Sequence, residues 1–139
     1  MILDAARLPG LLARARFAAE SRMLSTCTVR RMTGRTGQNE STGEEVPEWT
    51  VVYTGPFRLG TSTGNSPTRT ETISGVEVQR ALNTAHFPVS ASAITDGDLI
   101  DVTAGENAGV VLRIVDAAWA DQRTARRYPV ESTERPGEW

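Results

Sequence analysis

The chain predicts a mainly β protein: a small β-barrel of about six strands with an N-terminal amphipathic helix and two long loops. Three observations carry that prediction. Apolar residues recur at three- and four-residue intervals only before residue 24. Beyond it come short segments rich in Val, Thr and aromatic residues, and clusters of Gly, Pro and Asp separate them. A chain of 139 residues holds one core, since a domain of that size buries about two-thirds of the surface its unfolded chain exposes. The sequence divides into a helical segment at 1–23, a barrel domain at 24–132 and a flexible tail at 133–139.

The helix is read from "PGLLARARFAAESRM" (9–23). Leu8, Leu11, Leu12, Ala15, Ala18, Ala19 and Met23 share one side, while Arg14, Arg16 and Arg22 fall largely elsewhere. Asp4 is a candidate cap, and Pro9 kinks or restarts the helix. Its apolar side packs either on its own domain or on a neighbouring subunit.

Strands follow at 24–32 ("LSTCTVRRM"), 49–60 ("WTVVYTGPFRLG"), 75–87 ("GVEVQRALNTAHF"), 98–104 ("DLIDVTA"), 109–119 ("GVVLRIVDAAW") and 123–132 ("RTARRYPVES"). Gly55-Pro56 is expected to bend or bulge the second of these. Two connections are too long for simple turns: "TGRTGQNESTGEEVPE" (33–48) and "TSTGNSPTRTETIS" (61–74), both dominated by Gly, Ser, Thr and charge. The tail "TERPGEW" carries no strand or helix pattern, and Trp139 is its one side chain suited to a partner surface.

The segment "ITDGDLID" (94–101) groups Asp96, Asp98 and Asp101 around one glycine. An EF-hand loop needs oxygen ligands at alternate positions, a glycine at its sixth and a glutamate at its twelfth. Counted from Asp96, the fifth place holds Ile100, the sixth Asp101 and the twelfth Asn107, so the spacing fails. Asp96-Gly97 is instead a turn pair, with Asp98 placed to accept turn amides before Leu99 and Ile100 enter the core.

Catalytic motifs are equally poor. His86 is the only histidine and Cys27 the only cysteine; no Gly-x-Ser-x-Gly elbow is present, and a Cys27–His86 dyad has no support in the pattern. All 15 basic residues are arginine, so a phosphate-binding loop with its lysine is impossible in this chain. His86 reads as a strand-end or core-edge residue. Neither an enzyme nor a cofactor is expected, and a lone cysteine permits no intrachain disulfide or thiolate cluster.

With a net charge of −2 and scattered arginines, the chain lacks the basic excess of a dedicated nucleic-acid binder. Arg123, Arg126 and Arg127 beside Tyr128 form at most a short phosphate-contacting stripe, and strand alternation turns Arg126 and Arg127 to opposite faces; an exposed face, ion pairing with Glu131 or a subunit interface are the readings open to them. No run of 18 or more apolar residues is present, so no membrane span is expected.

The order helix, "TVRRMTG", "YTGPFRLG", "ITDGDLIDVTAG", "GVVLRIVDAAW" and "TARRYPVE" spans most of residues 24–132. In that order the chain resembles the small head-to-tail connector proteins of long-tailed phages, specifically the head-closure or stopper proteins of actinobacteriophages and prophages. The arginine-only, Ala- and Gly-rich composition agrees with a GC-rich genome. The resemblance implies a structural virion protein, made in the bacterial cytoplasm, that forms a homo-oligomeric six-fold ring in the neck. That ring sits beneath the portal and adaptor rings, meets the tail-terminator ring, and closes the channel through which double-stranded DNA later passes.

In that family the plug is a long loop between the second and third barrel strands, a slot filled here by residues 61–74. Thr61, Gly64, Asn65, Ser66, Pro67, Arg69 and Glu71 are therefore the candidate gating residues, and Arg126, Arg127, Tyr128 and Trp139 the candidate interface residues. The first loop is also long. With Glu40, Glu44, Glu45 and Glu48 it would repel DNA if it lined the bore, and which loop reaches the lumen is left open. An adaptor or tail-terminator ring protein and an oligonucleotide-binding barrel are the alternatives.

Overall fold

The computed structural model describes residues 8–38, 40–60, 68–115 and 125–139. The helix, α1, runs Leu8–Glu20. Pro9 lies in its first turn, where no amide partner is lost. Backbone bonds from Ser21 to Phe17, Arg22 to Ala19 and Met23 to Glu20 close its end, and Met23 is buried. Its apolar side is only partly covered: Met23 is buried and Leu12, Ala15 and Ala19 are half-buried, while Leu11 is 42% exposed, Phe17 beside that face is 74% exposed, and no strand packs broadly against the helix. The closed barrel fills its interior with its own side chains, which leaves the helix no apolar cleft to enter.

The strands are β1 (Ser25–Gln38), β2 (Glu45–Gly60), β3 (Thr68–Ile73), β4 (Val76–Ala81), β5 (Asn83–Phe87), β6 (Leu99–Ala104), β7 (Val111–Ile114) and β8 (Arg126–Thr133). Six of them close an antiparallel barrel in the order β1-β2-β5-β8-β7-β6, with β6 returning to β1; β3 and β4 form a separate two-stranded sheet. Each barrel strand is paired on both sides over part of its length, while β2 stays open on its β5 side from Glu45 to Phe57 and β1 on its β6 side beyond Arg30. Alternate residues point inward: Cys27 and Val29 from β1, Phe57 from β2, Ala85 and Phe87 from β5, Ile100 and Val102 from β6, Leu112 and Ile114 from β7, Tyr128 and Val130 from β8. Phe87 is the hub, with ring centroids 5.5 Å from Tyr53, 5.7 Å from Phe57 and 5.9 Å from Tyr128.

Both long connections differ from expectation. Residues 33–48 are not a loop: β1 and β2 stay paired out to Gln38↔Glu45, whereas β6 covers β1 only from Thr26 to Arg30 and β5 covers β2 only from Arg58 to Gly60. Everything from Arg31 to Gln38, with the facing part of β2, is a two-stranded arm. Eight residues at ~3.3 Å each carry it roughly 26 Å past the last β1–β6 pair. Extra residues opposite Glu48, at Thr33–Arg35, bulge the arm, and Gly34 takes the positive φ of 84° there.

Of the 61–74 loop, residues 61–67 lie outside the described residues, and 68–73 are strand β3. β3 and β4 are joined by a two-residue turn at Ser74-Gly75, both at positive φ, as such a hairpin turn requires. The expected single strand at 75–87 is two strands broken at Leu82, which is buried. The bulge in β2 falls at Val52, skipped between Val29↔Tyr53 and Arg30↔Val51, instead of at Gly55-Pro56.

Candidate functional site

Two of the three aspartates are committed to arginines. Asp98 is fully buried at the head of β6, where Gly97 at φ 81° lets the chain turn. Its carboxylate accepts the Thr95 amide at 2.9 Å and a two-pronged pair from Arg31, Nε to Oδ1 at 2.8 Å and Nη2 to Oδ2 at 2.9 Å. Arg31 also donates to the Ala93 carbonyl. One pair thus ties the base of the arm to the turn that starts β6. Asp96 stays exposed, and among the described residues no three His, Cys, Asp or Glu side chains converge.

Asp101 faces a second arginine pair. It accepts from Arg30 at 3.3 Å and from Arg135 at 2.7 and 3.2 Å. The Arg135 hydrogen bonds hold its carboxyl below the usual carboxylate range against the opposing effect of burial. Arg135 belongs to the tail at 133–139, which was expected to hang free and instead folds back onto the arm. Trp139 meets Trp49 edge to face at 5.1 Å, Arg30 lies 4.7 Å over the Trp139 ring, and the Trp49 indole donates to Glu138 at 2.8 Å.

Trp139 therefore finds its surface on its own chain. The cleft between tail and arm, about 460 Å³, is lined by Arg30, Val46, Trp49, Asp101, Arg135 and Trp139 among others. Asp101 is already shared by two guanidiniums and Glu138 is taken by an indole, so the cleft works as a clasp bracing the arm. Because the Asp101 carboxyl is held below its ordinary value near 3.8, its contribution is present above that pH and is lost as pH falls through the lowered value. Tryptophan fluorescence is expected to stay constant from neutral pH to about 4 and to report tail release below it; in Arg135→Ala the released signal should appear already at neutral pH.

Neither candidate nucleophile has a partner for catalysis. Cys27 points into the core, where burial and, second, Asp101 push its thiol from 9.0 to about 12. His86 lies between inward-facing Ala85 and Phe87 and so faces the outside of the wall. Cys27 and His86 are on opposite sides of the barrel wall.

On that outer face His86 has a cationic neighbour on either strand. It is the register partner of Arg58 on β2 and of Arg127 on β8. Its pKa is lowered, by burial first and then by Arg127 and Arg58. Arg58 and Arg127 are exposed, and among the described residues neither joins an ion pair. The nearest acid along β8, Glu131, lies four residues on, opposite Arg113. Sequence reasoning missed this stripe, because it depends on β8 lying beside β5.

The expected interface group separates. Arg127 is exposed, Arg126 turns back to donate to the Val89 carbonyl at 2.7 Å, and Tyr128 is 3% exposed and part of the core. Of the gating candidates, Thr61, Gly64, Asn65, Ser66 and Pro67 lie outside the described residues. Arg69 and Glu71 sit on β3, in register with Arg80 and Val78.

The fold and its surfaces define a class: a closed antiparallel barrel whose distinctive features are elements projecting from it, with no assembled catalytic group among the described residues. Residues 15–131 match the model of a family of unknown function (DUF6093), and the chain belongs to that family. No curated protein and no solved structure matches it.

Proposed function

We propose that this chain is a structural subunit of a phage neck, forming the head-closure ring that joins the portal and adaptor to the tail and retains packaged DNA. The observation that carries the reading is the insertion between the second and third barrel strands. Gly60 and Thr84 are already register partners, so a short turn would close the barrel there. The chain instead inserts residues 61–82, including the β3–β4 hairpin, which belongs to a sheet of its own. An element unnecessary to closure, placed in the slot the plug occupies in stopper proteins, supports a gating role. The exposed Leu11 and Phe17 of α1 and the projecting arm supply further surfaces for neighbours.

The test trims residues 61–81 to a Gly-Ser turn, keeping buried Leu82, in a phage that encodes the protein. The barrel is expected to fold and the ring to assemble, while filled heads lose their DNA before tails attach. Heads that keep their genome as well as wild type, with the trimmed protein in place, would assign gating elsewhere. Locating the density in images of the neck separates a head-closure ring from an adaptor or tail-terminator ring. The oligonucleotide-barrel alternative requires tight, steeply salt-dependent DNA binding by the isolated chain; a closure protein of net charge −2 is expected to bind DNA weakly.

A further inference from the structure

Two exposed surfaces of opposite charge lie at opposite ends of β2. At one end is the arm, whose tip carries Glu40, Glu44, Glu45 and Glu48, all exposed and, among the described residues, joined in no ion pair. At the other end is the outer-face row Arg58, His86 and Arg127, register partners across β2, β5 and β8. Arg58 and Arg127 flank the His86 imidazole about 10 Å apart, two strand spacings, and neither has an ion-pair partner among the described residues, so the row presents a cationic patch that a counter-charge can occupy. The arm of the same molecule cannot supply it. Glu45 and Arg58 are thirteen residues apart on one continuous strand, roughly 40 Å at ~3.3 Å per residue, and the arm points away from the row.

We propose that the acidic arm tip of one copy docks on the Arg58–His86–Arg127 row of the next copy. The inference rests on the ring reading above and names the surfaces that build the ring. Several properties favour a second copy as the occupant. The two patches are complementary in sign and similar in extent, since three neighbouring strands span about 10 Å and so does a hairpin tip with its flanking side chains. The arm is braced at its base by the Arg31–Asp98 pair and by the tail clasp, so it is presented in one orientation and little ordering is left to offset binding. Because donor and acceptor patches differ, the contact is heterologous, the kind that generates a ring when the rotation closes. Alternation of charge around the ring also fixes the direction in which subunits join.

The test is a charge exchange on the full-length chain. One variant carries Arg58→Glu and Arg127→Glu, so that both its patches are acidic; the other carries Glu40→Arg, Glu44→Arg and Glu45→Arg, so that with Glu48 kept its tip becomes net basic like its row. All five positions are exposed, and circular dichroism and melting should match the wild type. Self-association is followed by sedimentation velocity up to ~1 mM, the range of effective concentration on a shared platform. Each variant alone is expected to associate at least about tenfold more weakly than wild type. A one-to-one mixture should regain it, each arm then facing a row of opposite charge. Raising salt from about 0.1 to about 1 M, which shortens the screening length from ~10 to ~3 Å, should weaken wild type and mixture alike.

Association unchanged in either variant, a mixture no better than its components, or no association of wild type at ~1 mM would each overturn the proposal. Those outcomes leave the gate untouched, because gating is read from DNA retention by the trimmed protein. Conversely, charge rescue in the mixture together with intact heads after trimming would keep this contact and discard the closure role.

Discussion

Arg31→Met is expected to destabilise the protein by about 3–5 kcal/mol, the cost of stranding one member of a buried charge pair. Asp98 is the member that cannot escape: its side chain is 1% exposed, whereas that of Arg31 is 38% exposed and can reach water if its partner is lost. Asp98→Asn should therefore cost less, about 1–3 kcal/mol, since the amide oxygen can still accept the Thr95 N–H and the freed guanidinium hydrates. The double variant should be clearly less damaged than the sum of the two, because the second substitution removes a group already left without its partner. Urea denaturation of the four proteins measures the order. Equal costs below about 1 kcal/mol for both single variants would show that the pair does not anchor the turn.

The same pair shows what could be read in advance and what could not. Asp96-Gly97 announces a turn and the run Leu99-Ile100 announces the strand after it, because both signals are local. Arg31 lies 67 residues away from Asp98 along the chain, and no spacing rule reaches it. The barrel strands were legible wherever one face is buried: alternation at Cys27 and Val29, at Ala85 and Phe87, or at Tyr128 and Val130 reflects the core directly. The arm and β3 were hidden for the opposite reason. The arm is a ribbon with little buried on either side, and Thr68-Arg69-Thr70-Glu71-Thr72 alternates with no apolar member. Threonine is β-branched and suits a strand, yet polarity alone makes both stretches resemble loops.

Surface function was less legible still. The Arg58–His86–Arg127 row needs the strand order β2-β5-β8, which joins the third and last barrel strands in the sequence; Arg126, Arg127 and Tyr128, adjacent in sequence, are instead divided between a carbonyl contact, the outer face and the core. The tail looked free because "TERPGEW" has no periodicity, and its attachment comes from single groups, Arg135 on Asp101 and Trp139 on Trp49.

Phe87→Ala is the core substitution with the largest expected effect, about 3–5 kcal/mol. Phe87 is fully buried and meets aromatic rings from β2 and β8 at once, so truncation opens a cavity where three strands converge and none can collapse without breaking the barrel register. For a domain whose total stability is about 5–15 kcal/mol, such a loss brings a large fraction of molecules close to unfolding at 37 °C. His86→Ala, one residue away, should change stability by no more than about 0.5 kcal/mol at neutral pH, because the imidazole faces outward between two arginines. The two variants also separate by pH. The folded-state pKa of His86 lies below its ordinary 6.5, so the unfolded chain takes up the proton first, and wild-type stability falls as pH drops below 6.5 toward the lowered value. That segment of the pH profile should vanish in His86→Ala and persist in Phe87→Ala. If His86→Ala proved as costly as Phe87→Ala, β5 would be turned by one residue, since a single-step register shift exchanges the inward and outward faces of a strand. The cationic row would then point into the core.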